Sequence, residues 1–352
     1  MPRISVVMPS YESASYLRQA VDSVLQQTER DIELIIVQEI GARDGTEALL
    51  NEIDDARVRV VRNNTPLGLA RSLNRGFALA AGEYIARMDA TDIALSERLE
   101  KQARYLDKHF SVGAIGSAVR RVDPDGREMR ALYYPTAPAI VLWGMHFGPS
   151  MCPTSAMFRR SAFEQAGGFS TKADFVEYEL LCRIMRYHGL ANVPDLLMEH
   201  RNLPTEASEN VDGIVDSARR TIEVTVGRPV DHGFVRALLF PETINDRRDA
   251  IGAAWLLNTI VRSYRMWYRD RTREEGILVK EDAAAKMSYV LARSIVAAPI
   301  GAPMILWHTT RAGPGVTYRT ARSSLERGIE RLGRSSPTGE KKRASSARVS
   351  RM

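Results

Sequence analysis

Residues 4–25 read ISVVMPSYESASYLRQAVDSVL, and this segment predicts the architecture of the first half of the chain. It begins with a short, almost continuously apolar run at 4–9, which is typical of a strand covered on both faces. The apolar residues that follow recur at spacings of three and four, as one buried face of a helix requires. They are Tyr16, Leu17, Ala20, Val21, Val24 and Leu25.

Three more β-rich runs, at 33–39, 58–63 and 84–89, alternate with helical patterns in the first hundred residues. A parallel crossover needs a connection long enough to hold a helix, so this alternation predicts a parallel sheet. We therefore expect an α/β fold in which a mostly parallel, Rossmann-like sheet is flanked by helices. After residue 89 the pattern becomes mixed α+β, and from about residue 212 it is mainly helical.

The composition predicts a folded body with a basic end. The 352 residues are 44% hydrophobic and carry a formal net charge of +6. Eleven Lys or Arg against three Asp or Glu lie from Arg311 onward, so the rest of the chain is nearly neutral. A nucleic-acid-binding domain would carry a basic patch on its folded surface, so nucleic acid is not an expected partner and only the tail stays open as a contact.

Cysteine content and hydropathy favour a cytoplasmic location. Cys152 and Cys182 are the only cysteines, which excludes a disulfide framework. The most apolar segment, 294–307, has 14 residues and two prolines, short of the roughly 20 residues that span a bilayer. It either packs in a core or lies on an anionic membrane surface, so a peripheral position at the cytoplasmic face of the membrane stays open.

Polar residues follow the predicted strands, where ligands bind in open parallel sheets. Each has a simpler interpretation as a strand end, a helix cap or a loop residue, but together they favour a site. The two acids Asp89 and Asp92 suit a hard divalent cation that would hold a diphosphate. No dinucleotide or P-loop motif is present, so a metal together with Arg71 would have to hold a nucleotide. The other strand ends contribute Pro9, Tyr11, Glu39, Asn63 and Asn64.

The chain resembles the inverting family 2 glycosyltransferases of the GT-A fold over about residues 3–205. Four ordered segments carry the resemblance: ISVVMPSYESASYLRQAVDSVLQQT, ELIIVQEIGARDGT, RNNTPLGLARSLNRGFALAAGEYIARMDATDIALSERLEKQ and TSAMFRRSAFEQAGGFS. The resemblance implies a nucleotide-sugar donor and a Mg²⁺ or Mn²⁺ ion. It places Pro9 and Tyr11 beside the base, Glu39 at the base edge and Arg71 near the phosphates.

Asp89 matches the first acid of the family's Asp-x-Asp signature, and two neighbouring positions depart from the family pattern. Thr91 stands in place of the second acid, with Asp92 directly after it, and Ile40 replaces a common acid after the second strand. A hydroxyl binds a hard cation weakly. We therefore expect a metal held by Asp89 and helped by Asp92 or by the diphosphate.

The acceptor side is predicted at FVEYELLCRI, residues 175–184. The family commonly shows Glu-Asp-Tyr-Asp there, and its second acid serves as general base. Glu177 takes that place, while Val176 and Glu179 replace the flanking acids. The simpler interpretation puts Glu177 and Glu179 on a solvated helix start.

The resemblance implies a metal-dependent inverting transferase that moves a sugar from a nucleoside-diphosphate sugar, preferably a UDP-sugar, to a glycan or lipid-linked acceptor. Polysaccharide or cell-envelope glycan synthesis is the expected setting. The alternative is a degenerate GT-A domain that binds a nucleotide or glycan as a partner module. We expect a catalytic domain at 1–210 with donor and acceptor halves at about 1–110 and 111–210, a helical region at 211–333, and a disordered basic tail at 334–352.

Overall fold

Strand β1 (Ile4–Ser10) is paired on both sides. In the computed structural model, which describes residues 1–173, 175–203, 211–267 and 272–297, β1 pairs in parallel with β2 (Ile32–Gln38) and β4 (Tyr84–Arg87). β2 also pairs in parallel with β3 (Val58–Arg62). The predicted parallel arrangement of the first four strands is confirmed.

The second half of the chain extends the same sheet with mixed pairing. Beyond β4 lie β8 (Met157–Arg159), β6 (Val112–Val122), β9 (Gly189–Arg201) and the short β5 (Ile93–Ala94), while β7 (Glu128–Leu132) pairs with β6. β6 and β9 are parallel, and the other pairs of this half are antiparallel. The described residues thus form a sheet of nine strands.

Helices alternate with these strands along the chain. Among the described residues, eight precede residue 227: α1 (Ala14–Leu25), α2 (Thr46–Asn51), α3 (Leu69–Leu79), α4 (Arg98–Lys108), α5 (Pro138–Gly144), α6 (Arg160–Ala166), α7 (Val176–Ile184) and α8 (Val211–Val226). In the part described beyond them, three more follow: α9 (His232–Leu239), α10 (Arg247–Trp267) and α11 (Arg273–Ala297).

The main core lies between the sheet and the helices on one of its faces. Alternate residues of β1, Ile4, Val6 and Met8, are buried against the apolar face of α1. That face includes the predicted Leu17, Ala20, Val21 and Val24, whose burial is confirmed. On α3, a Cβ at Gly76 would lie 2.4 Å from Val7 Cγ1, so this helix packs closely on β1 because residue 76 has no side chain.

The chain divides into two compact units, each described by itself. The first holds Met1–His232 and Asp270–Glu275, and the second holds Gly233–Arg269 and the chain from Gly276 onward. Within the second, the described residues are mainly helical. None of the helices described is long and apolar enough to cross a membrane. Residues 298–307 of the apolar segment and the tail at 334–352 lie outside the described residues.

Candidate functional site

A cavity of about 530 Å³ opens beyond the carboxyl ends of β1, β2 and β4. It lies where the sequence predicted a ligand site. Five of the ten predicted site residues line it, namely Pro9, Tyr11, Glu39, Asp89 and Thr91. The other five, Asn64, Arg71, Asp92, Glu177 and Glu179, do not belong to its lining. The remaining lining residues are Ser10, Ser13, Val37, Ile40, Pro66, Gly68, Leu69, Ser72 and Ala90.

Glu39 holds the loop that forms one wall of this cavity. Its carboxylate accepts hydrogen bonds from the backbone N–H groups of Gly68 at 2.8 Å and Leu67 at 3.2 Å, and from Ser72 Oγ at 3.2 Å. Burial raises the pKa of Glu39, but the backbone donors outweigh it and hold the pKa below its ordinary value. Glu39 therefore shapes the cavity by anchoring the start of α3, and its predicted contact with a base stays a prediction.

The conformation of Gly68 completes this anchor. Gly68 precedes the first residue of α3 and has a φ of +74°, which favours glycine because a Cβ is strained there. Its N–H points to Glu39 in that conformation. The predicted phosphate contact Arg71 lies in the first turn of α3 with its residue exposed, and Asn64 is exposed in the preceding loop.

Asp89 also lines the cavity, two positions after the last residue of β4, and its side chain is 26% exposed. One of its oxygens pairs with Nη1 of Arg87, a side chain that is only 3% exposed. Burial raises the pKa of the Asp89 carboxyl, and the charge of Arg87 opposes that rise. Asp89 is therefore a carboxylate that faces the cavity on one side and a buried arginine on the other.

Arg87 also contacts Glu177, the predicted general base. Its Nη2 donates to Oε1 of Glu177 at 2.9 Å, and the Glu177 side chain is 9% exposed in the first turn of α7. The interpretation of Glu177 as part of a solvated helix start is therefore wrong. Glu179, in contrast, forms an ion pair with Arg183, four positions later in the same helix. The distance from Arg183 Nη2 to Glu179 Oε2 is 2.7 Å. A single guanidinium thus joins Asp89 of the predicted donor half to Glu177 of the predicted acceptor half.

Asp92 has a different environment from Asp89, although only two residues separate them. It is fully buried, and its oxygens accept hydrogen bonds from the backbone N–H of Arg201 at 2.9 Å and from His200 Nδ1 at 3.1 Å. Both partners lie on β9. These contacts anchor the loop after β4 to the sheet, and they give no support to the predicted metal role of Asp92.

Two arginines at this site were not among the predicted residues. Arg201 donates from Nε to the carbonyl of Thr91 at 3.0 Å and lies over the ring of Tyr16 at 4.4 Å, so it fixes the loop that carries Thr91. Arg87 joins the two carboxylates described above. The signal for Arg87 was a charged residue inside the apolar strand run YIARMD, because a buried strand charge needs a partner. Arg201 gave no comparable signal.

A divalent cation in this cavity would rely on Asp89. Among the residues that the structure describes, no three His, Cys, Asp or Glu side chains are grouped as a metal site. Mg²⁺ is commonly held by one or two carboxylates together with substrate phosphates. Asp89 supplies one such carboxylate and Thr91 adds a hydroxyl on the same wall. These residues fit a cation that enters with a diphosphate.

Comparison with known proteins identifies the family. The sequence model described as glycosyl transferase family 2 matches residues 5–167. The glycosyltransferase AmsE of Erwinia amylovora, named for amylovoran biosynthesis, is 30% identical over 203 residues, which cover 56% of this chain and 75% of AmsE. This chain belongs to glycosyl transferase family 2.

Two further glycosyltransferases match over smaller shares of their own length. A glycosyltransferase of Methanocaldococcus jannaschii is 35% identical over 132 residues, or 37% of this chain and 46% of that protein. EpsE of Bacillus subtilis is 32% identical over 172 residues, or 48% of this chain and 60% of EpsE. The chain therefore spans between about half and three fifths of the length of these two relatives.

Solved structures extend the likeness to the fold. The S. aureus TarS 1–349 structure in complex with UDP-GlcNAc has a TM-score of 0.54 at 15% identity, covering 95% of this chain and 92% of that one. A mannosyltransferase from Pyrobaculum calidifontis, in complex with GDP-Man and Mn²⁺, has a TM-score of 0.52 at 16% identity, covering 90% and 88%. The fold is the GT-A type, and the fold class expected from the sequence is confirmed.

Proposed function

We propose that this protein is an inverting glycosyltransferase that moves a sugar from a nucleoside-diphosphate sugar to a glycan or lipid-linked acceptor in polysaccharide or cell-envelope glycan synthesis. A UDP-sugar is the preferred donor. The observation that carries the proposal is the position of Asp89, which faces a strand-end cavity and shares one arginine with the buried carboxylate of Glu177.

The cavity suits the donor. Its volume of about 530 Å³ is within the range of small-molecule sites. Tyr11 and Pro9 give it apolar and aromatic surface on which a base would stack, and Asp89 and Thr91 line the same cavity, where they would meet the diphosphate. The named ligands of TarS and of the Pyrobaculum mannosyltransferase, UDP-GlcNAc and GDP-Man, belong to the same chemical class. AmsE, named for amylovoran biosynthesis, supports a polysaccharide product.

Glu177 is the proposed general base. In the transfer, the acceptor oxygen forms a bond to the anomeric carbon as the bond from that carbon to the diphosphate oxygen breaks. The hydroxyl proton passes to the carboxylate of Glu177, and the electron pair of the broken bond leaves with the diphosphate. Arg87 holds Glu177 in place for this step, and Asp89 orients the leaving group from the other side. A Mg²⁺ or Mn²⁺ ion held by Asp89, when bound, would neutralise charge on the departing diphosphate.

The direct test is to incubate the full chain with UDP- and GDP-sugars and Mn²⁺ and to measure release of the nucleoside diphosphate, with and without polysaccharide or lipid-linked acceptors. We expect release from one donor class, lost in Asp89→Ala and Glu177→Ala. The matched control is Glu29→Gln, which removes a carboxylate from an Arg3 ion pair that lies outside the cavity. Release that is equal in all four proteins would contradict the proposal.

The alternative is a degenerate domain that binds a nucleotide or glycan without turnover. One observation favours it, namely that Asp92 is committed to β9, which leaves Asp89 as the one acid of MDATD that lines the cavity. The same experiment separates the two functions, because the degenerate domain would bind a nucleoside diphosphate and release none from any sugar donor.

A further inference from the structure

We infer that Arg87 is a positioning residue that couples occupancy of the donor cavity to the placement of Glu177. The inference rests on the proposed function. It adds an energetic connection between the two halves of the site, carried by one side chain with two partners.

The main chain of Arg87 is fixed within the sheet. Its backbone N–H donates to the Ala156 carbonyl at 2.9 Å, and its own carbonyl accepts from Arg98 Nη2 at 2.6 Å. It also lies in register with Val7 of β1. The main chain of residue 87 is therefore held by three neighbouring segments, so a change in its pairing would involve the side chain alone.

The two carboxylates compete for one positive charge. Nη1 pairs with Asp89 and Nη2 with Glu177, so a single guanidinium serves two anions in a largely buried place. Charges in such a place interact more strongly than in water. A change in the strength of the ion pair with Asp89 therefore changes the strength of the ion pair with Glu177.

The two carboxylate partners of Arg87 differ in their access to the donor cavity. Asp89 lines the cavity, whereas Glu177 does not. Asp89 would hold a divalent cation that binds with a diphosphate, and its contact with Arg87 would then be weaker. Arg87 would be held mainly by Glu177, and this contact would order the general base before the acceptor reacts.

Thermodynamic linkage relates this coupling to a measurable quantity, the affinity for the donor. If donor binding strengthens the contact between Arg87 and Glu177, removal of the Glu177 charge must weaken donor binding by the same factor. The effect must also require Arg87. A purely structural role of Arg87 would lower stability without making donor affinity depend on Glu177.

The test is calorimetric titration of UDP in the presence of Mn²⁺ into the full chain and its Glu177→Gln, Arg87→Lys and double variants. Glu177→Gln keeps the shape of the side chain, and Arg87→Lys keeps the charge but not the two-armed geometry. We expect Glu177→Gln to weaken UDP affinity by about fivefold or more, the size typical of coupled sites. In the Arg87→Lys background the same change should have an effect below about twofold.

The control is Glu29→Gln, which removes a carboxylate from the 2.6 Å ion pair with Arg3 outside the cavity, and it should leave UDP affinity unchanged. An equal effect of Glu177→Gln in both backgrounds, or none in the natural chain, would overturn the coupling. If Arg87→Lys does not fold, the comparison of Glu177→Gln with the natural chain still decides against the inference when affinity is unchanged. A natural chain that binds neither UDP nor GDP would instead overturn the proposed function and the inference together.

Discussion

Nη2 of Arg87 lies 2.9 Å from Oε1 of Glu177, although 90 positions separate the two residues along the chain. The contact joins the end of β4 to the first turn of α7, so it connects the predicted donor half to the predicted acceptor half. Because Arg87 also pairs with Asp89, both carboxylates of the proposed mechanism meet at one buried cation.

Glu177→Gln should abolish most of the transfer while the protein stays folded. The amide keeps the volume of the side chain but does not accept the acceptor proton, and loss of a general base typically costs about 10²- to 10⁴-fold in rate. The measurement is release of nucleoside diphosphate in the presence of acceptor, together with a thermal unfolding curve. A rate within a factor of about three of the natural chain would exclude Glu177 as the base.

Asp89→Asn should mainly affect ligand binding and Asp92→Asn mainly stability, because Asp89 faces the cavity and Asp92 is anchored to β9. Asp92→Asn replaces an acceptor of the Arg201 N–H and His200 hydrogen bonds, so we expect it to lower the free energy of unfolding by about 2 kcal/mol. Asp89→Asn should lose Mn²⁺-dependent UDP binding instead. Urea unfolding and UDP titration of both variants check the pair, and a larger loss of stability in Asp89→Asn would contradict the assignment.

Glu39→Gln should loosen the wall formed by the start of α3. The amide turns a donor toward the N–H groups of Leu67 and Gly68, which leaves these donors without a full acceptor and costs about 1–3 kcal/mol of unfolding free energy. Because the pKa of Glu39 is lowered in the folded state, its stabilisation should be present above its ordinary pKa and lost as the pH falls. Glu47→Gln, at an exposed position, is the control in urea unfolding at pH 7 and pH 4.

His146 should make the protein less stable in mild acid. Burial lowers its pKa to about 4, from an ordinary value of 6.5, and its ring nitrogens contact Trp143 O and Thr225 Oγ1. Between those two pH values the unfolded chain binds a proton there and the folded chain does not. The free energy of unfolding should therefore fall as the pH drops from 6.5 toward 4, by about 3 kcal/mol at most, and stay unaffected by this group above 6.5.

The check for His146 is urea unfolding of the natural chain and of His146→Gln at pH 7 and pH 5. The variant should be less stable at pH 7, because buried contacts are lost, but its stability should change less between the two pH values. His109→Gln, at an exposed position, should keep the pH dependence of the natural chain. Parallel pH dependence in His146→Gln would show that another group is responsible.

The sequence predicted the elements whose signal is local. The apolar run of β1 and the spacing of Leu17, Ala20 and Val24 lie within one short segment, and their burial is confirmed. β5 has only two residues and forms through Ile93 and Ala94 pairing with β9, more than a hundred residues later. Such a strand has no periodic pattern of its own, so its existence depends on a distant partner.

At the site, too, the sequence does not predict features that depend on residues far away along the chain. The acids of MDATD were recognised as a group, but nothing local distinguishes Asp89 from Asp92. Their different environments come from Arg87 on one side and from Arg201, 109 positions beyond Asp92, on the other. Likewise Glu177 was predicted by resemblance, whereas its partner Arg87 was not, because that contact depends on how β4 and α7 meet.

The most direct measurement is calorimetric titration of UDP into the full chain and into Asp89→Asn, each with and without Mn²⁺. If the cavity at Asp89 is the donor site and the cation enters with the diphosphate, the natural chain should bind UDP more tightly with Mn²⁺ than without it, and the variant should lose that difference. Mn²⁺ alone should give little heat, because Asp89 offers it a single carboxylate and the Glu39 carboxylate of the same cavity is already held by the N–H groups of Leu67 and Gly68. Equal Mn²⁺-dependent UDP binding by the natural chain and Asp89→Asn would contradict the account.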